Sequence, residues 1–191
     1  MSTLVVITRD SVDASLFESW HALAIARMGD VHANRRQEWA LARAALSLAF
    51  SKHGVSLRPE HCVFKGHHEL TQFPQWRFSL SHTKDAAGAW LSPANTVRGL
   101  GLDLEYRDRK VSASVKARLA HPEDMPLPTL ELWSLKEAAY KAIPAMAQEN
   151  IWLNRIKISP GQFELTDSPF RGQWETSLDG ELLVSKAWLP S

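Results

Sequence analysis

The sequence predicts an α+β protein built as two similar halves that meet near residue 100. Three observations carry this reading. Helix-period segments precede strand-period segments, and the same order then recurs in the second half. The strand signals are separated by Gly, Pro and Asp turns, which favours antiparallel pairing. Finally, 191 residues, 45% of them apolar, suffice for a sizeable core. The halves are expected at residues 1–100 and 101–191, related by element order and not by any visible repeat of sequence.

Leu4–Thr8 reads as a short buried strand. Ser11–Arg27 is expected to be helical, with Asp10 or Ser11 available as its cap. A stronger helix runs from Asn34 to Lys52 and ends at Gly54. Trp39, Ala42, Leu46 and Ala49 form its apolar stripe, with Arg36 and Arg43 two turns apart on a neighbouring stripe. Strands follow at Cys62–Lys65, Trp76–Leu80 and Ala86–Leu91, and "SPAN" is a turn before the strand Val97–Glu105. Ser112–Ala120 is a further helix, and "HPEDMPLP" is a proline-punctuated connector. Leu130–Ala142 is helical and is terminated by Pro144. From Ile156 onward the spacing predicts three or four antiparallel strands.

Composition narrows the function classes. Twenty-two basic residues against 21 acidic leave a net charge of +1, which is no electrostatic footprint for nucleic acid. The single cysteine, Cys62, excludes an intramolecular disulfide and suits a reducing compartment, so a cytoplasmic location is expected. The start "MSTLVVITRD" has no basic n-region, and no signal peptide is expected. No apolar run approaches the ~18 residues of a membrane span.

Within "GLGLDLE", residues 99 to 105, alternation places Gly99, Gly101, Asp103 and Glu105 on one face and three leucines on the other. Side chains two apart on a strand are ~7 Å apart. Two ionised carboxylates there repel, and a hard divalent cation such as Mg²⁺ would offset that repulsion. The glycines are expected to leave room for a ligand to approach the backbone. The alternative is a solvated acidic strand. In "LWSLKEAAYKA", residues 132 to 142, Leu132, Leu135 and Ala139 lead a buried stripe, while Trp133, Glu137 and Lys141 stack at i, i+4, i+8. An ordinary Glu–Lys helix pair would explain the last two, but a tryptophan on that stripe implies that something covers it. "FSLSH" puts Ser81 and His82 at a strand end, where hydroxyl and imidazole suit phosphate.

Taken in order, "SLSH", "GLGLDLE" and "WSLKEAAYK" resemble the 4′-phosphopantetheinyl transferases, specifically the larger, two-halved, surfactin-synthetase-activating type. "RRQEWALARAAL" is similar to that family's arginine-bearing helix. The resemblance implies a pseudo-twofold fold of two α+β halves and a holo-[acyl-carrier-protein] synthase-type activity. 4′-Phosphopantetheine would pass from coenzyme A to a serine of an apo acyl or peptidyl carrier protein, with Mg²⁺ as cofactor and 3′,5′-ADP released. It also implies that Asp103, Glu105 and Glu137 hold the metal, and that Glu137 and Lys141 are catalytic. Arg36, Arg43, Ser81 and His82 would meet the coenzyme A phosphates. A monomer is expected, with no nucleic-acid or membrane partner.

The chain departs from the family pattern at "ELTQFPQW", which keeps Pro74 but lacks the glycine and base that usually precede it. Either Phe73 stands where a phosphate-binding base is lost, or it packs. Other readings are a non-catalytic coenzyme A- or carrier-binding homologue and a metal-dependent nuclease. The nuclease pattern ends in E-x-K on a strand, whereas Glu137 and Lys141 are four apart on a helix. A zinc site from His61, Cys62, His67 and His68 would need adjacent strand residues to face the same way.

Overall fold

Alanine brings helix and sheet together in the first part of the chain. The computed structural model describes residues 1–59, 62–65, 69–148 and 151–191. It separates into two compact units, Met1–Pro93 and Ala94–Ser191. The class is α+β, as expected, with four α-helices and two main antiparallel sheets among the described residues. The division falls at the turn before Val97 and not at residue 100. The strand that begins there pairs along its whole length with the last strand of the chain, so it belongs entirely to the second unit.

In the first unit, β1 (Thr3–Thr8), α1 (Ala14–Met28) and α2 (Ala33–Ser51) are followed by a short ribbon, β2 (Phe64–Lys65) with β3 (Glu69–Leu70). β4 (Trp76–His82) and β5 (Ala86–Pro93) complete a sheet of order β1-β5-β4. Central β5 presents Ala87 and Ala89, and α2 presents Ala40, Ala42, Ala44, Ala45 and Ala49, all fully buried in one core with Phe17, Trp20 and Phe78. Small side chains on both surfaces let the helix lie close to the sheet. Trp20 joins this core without leaving its N–H unpaired, because Nε1 donates to Ser47 Oγ at 3.0 Å. The cap of α1 is Asp13, whose carboxylate accepts from Leu16 N at 2.9 Å. Ser11, expected as a cap, instead closes a turn on Thr8. Of the possible zinc ligands, His61, His67 and His68 lie outside the described residues.

The second unit opens with β6 (Val97–Tyr106), then α3 (Ala113–Leu119), capped by Ser112, and α4 (Thr129–Ala142). β7 (Ile156–Ser159), β8 (Gln162–Leu165), β9 (Arg171–Asp179) and β10 (Leu182–Pro190) finish it, so the tail holds four strands. The sheet order is β6-β10-β9-β8-β7, antiparallel throughout. α4 packs across β6 and β10. Leu132, Leu135 and Ala139 are buried as expected, but Ser134, Lys136, Ala138 and Ala142 are buried too. The helix is therefore covered on more than one side.

Lys136 shows how the connector is tied to that helix. Its ammonium is fully buried, donating to Leu119 O at 2.9 Å and pairing with Asp124 Oδ2 at 2.6 Å. Asp124 also accepts from His121 N at 2.7 Å and from Ile158 N at 2.9 Å. One carboxylate thus joins the segment after α3, helix α4 and strand β7. Burial pushes the Lys136 ammonium below the ordinary lysine range, and the bond to Asp124 opposes that shift.

Candidate active site

The face of β6 that carries two glycines and two carboxylates lies against α4. A Cβ built on Gly101 would sit 1.7 Å from Ala138 O, and one on Gly99 would sit 1.9 Å from Ala142 O. The room expected for a ligand is taken by the helix backbone. This corrects the expectation: glycine is required because main chain, not a phosphate, fills the space it leaves.

Two residues further along the same face, side chains replace backbone at the interface. Lys141 Nζ donates to Asp103 Oδ1 at 2.8 Å and to Leu102 O at 3.0 Å. Trp133 Nε1 donates to Glu105 Oε1 at 3.0 Å, which answers what covers the tryptophan stripe. The same oxygen accepts from Arg109, whose guanidinium lies 5.6 Å from the centre of the Trp133 ring. Both carboxylates are buried.

Glu137 belongs to the same electrostatic network. Its carboxyl is pushed above the ordinary range, first by burial, and Asp103 and Glu105 add to that while Lys141 and Arg109 oppose it. Arg109 is pushed up, chiefly by its bond to Glu105, with the charges of Asp103 and Glu137 contributing. Three carboxyl groups and two cations thus belong to one electrostatic network.

That donor set fits a hard divalent cation by its chemistry, since carboxylate oxygens are what Mg²⁺ takes. Its arrangement is not that of a closed metal centre. Among the described residues, no group of three or more acidic, histidine or cysteine side chains is placed to hold a metal ion. Instead, cations of the chain itself are bonded to the two strand carboxylates.

The four residues expected at phosphates are all in the first unit. Arg36, at the start of α2, donates to Gly29 O at 2.6 Å and to Val31 O at 2.8 Å, so it braces the α1–α2 turn. Arg43 lies over the Trp39 ring at 4.1 Å, and burial pushes its guanidinium down to about 10. Ser81 is buried, and His82 Nδ1 faces Glu38 Oε2 at 3.6 Å. Arg36 and His82 thus have protein partners where phosphate was expected.

Arg109, Lys136 and Asp124 were not singled out by sequence reasoning. Arg109 stands in a turn beyond β6, where neither strand nor helix period assigns it a direction. Trp133 also borders a largely apolar pocket of about 230 Å³, formed with Val115, Arg118, Leu119, Trp152 and Leu153. No known family model and no curated protein matches the chain. Among the described residues, no helix is long and apolar enough to cross a membrane.

Proposed function

We propose that the protein is a cytoplasmic 4′-phosphopantetheinyl transferase, moving 4′-phosphopantetheine from coenzyme A to a serine of an apo acyl or peptidyl carrier protein. The observation that carries this reading is the meeting of Asp103 and Glu105 on β6 with Trp133, Glu137 and Lys141 on α4. These are the residues of the two motifs that resemble the family.

Asp103 and Glu105, with Glu137, would hold Mg²⁺, which supplies charge neutralisation at the pyrophosphate when bound. Glu137 would also accept the proton of the attacking serine hydroxyl, directly or through a water. Lys141 holds Asp103 in place and supplies positive charge where the leaving phosphate develops negative charge. The largely apolar pocket beside Trp133 supports the reading by offering room for the uncharged arm of such a substrate.

A second reading, a non-catalytic homologue that binds coenzyme A or a carrier, is favoured by the ion pairs that occupy Asp103 and Glu105. Intact mass spectrometry separates the two. With coenzyme A and Mg²⁺, an apo carrier protein should gain the mass of one phosphopantetheine. Asp103→Asn and Lys141→Ala should each abolish the gain. A carrier that stays unmodified while coenzyme A binds would establish the second reading instead.

A further inference from the structure

Glu105 Oε1 already accepts two hydrogen bonds, from Trp133 and from Arg109. The Glu105 side chain is 6% exposed, whereas that of Arg109 is 50% exposed. The guanidinium therefore reaches a buried carboxylate from the solvent side and covers it. Its partner cation in the network, Lys141, is differently placed. Lys141 rises from the middle of a packed helix and is also bonded to Leu102 O of β6. Arg109 rises from a turn, held there by its own N–H to Tyr106 O at 3.0 Å. Its side chain is half exposed and springs from neither helix nor strand.

From this we propose that Arg109 is a built-in competitor for the divalent cation at Glu105. The inference rests on the reading of Asp103 and Glu105 as cation ligands. A guanidinium and a divalent ion repel, and both need the same carboxylate, so each must weaken the other's hold on it. When the cation enters, Arg109 leaves Glu105 and the face of the Trp133 ring. Lys141 stays with Asp103, anchored by the Leu102 carbonyl. Arg109 thus sets how much free cation is needed to load the site.

Calorimetric titration of the metal-free full-length chain with Mn²⁺ tests this, independently of transfer activity. Arg109→Gln should bind Mn²⁺ about 3- to 30-fold more tightly than the unaltered chain, the range expected for removing a partly exposed competing pair. Arg109→Met serves as a second neutral variant, and thermal melts of both check folding. Arg109→Lys, which keeps the charge, should stay close to the unaltered affinity. Asp103→Asn should bind much more weakly. Mg²⁺ should change the tryptophan emission of the unaltered chain, and Trp133→Phe should remove that change. Equal or weaker Mn²⁺ binding in both neutral variants, with Asp103 still required, overturns the competitor role and leaves the cation site standing. No saturable binding in any of these proteins overturns the cation site and the inference together.

Discussion

A Cβ on Gly101 would lie 1.7 Å from the carbonyl oxygen of Ala138, so β6 and α4 meet main chain to main chain at this point. The obstacle is backbone, not a flexible side-chain tip. Gly101→Ala must therefore push the helix off the strand, which also separates Lys141 from Asp103. Overpacking of this kind typically costs about 1–3 kcal/mol, and rigid backbone places it at or above the upper end. Denaturant unfolding should show that loss. A variant within about 0.5 kcal/mol of the original protein would contradict the close approach.

The Lys136–Asp124 pair should respond asymmetrically. Asp124→Ala leaves a buried ammonium facing only the Leu119 carbonyl, and it also strips acceptors from His121 N and Ile158 N. Breaking a buried pair in this way costs about 3–5 kcal/mol. Lys136→Met keeps the helix apolar there and leaves Asp124 with its two backbone donors, so it should cost clearly less. The two denaturation midpoints check the order, and the reverse order would show that Asp124 is not the hub of the connector.

Glu137 gives a pH-dependent expectation for the metal-free protein. Its folded carboxyl holds a proton to higher pH than the unfolded chain does. Between those two values the folded state binds more protons, so ionising Glu137 lowers stability as pH rises. Glu137→Gln should therefore melt higher than the original protein near neutral pH. The gap should close as pH falls below the ordinary carboxylate range. A pH-independent difference between the two proteins would mean that burial does not govern this carboxyl.

Phe73 packs, the second of the two alternatives open for this position. Its ring lies 5.2 Å from that of Phe50, against the core of the first unit. Phe73→Lys should accordingly lower stability by about 1–3 kcal/mol, since a charged head replaces apolar contact. For a chain of this size that is a fall of several degrees in Tm, read by a thermal melt. An unchanged or raised Tm would restore the alternative that a base belongs at this position.

Much of the site was legible because its signals are local. Alternation over residues 99–105 is enough to put Asp103 and Glu105 on one face of a strand. The 3.6-residue period likewise aligns Trp133, Glu137 and Lys141 on one side of α4. Helix order, an antiparallel tail of three or four strands and the α+β class follow from the same periodicities, and the structure has four. What faces each surface is a separate question, settled by segments far apart in the chain. Only the folded chain decided that helix carbonyls occupy the glycine face, and that Arg109 returns from a turn to cover Glu105. It likewise decided that Lys136 points inward to Asp124, and that Arg36 is committed to carbonyls of its own turn. Periodicity assigns a side chain to a face. The partner waiting there depends on packing between elements, and a charged residue goes wherever that packing leaves it an acceptor.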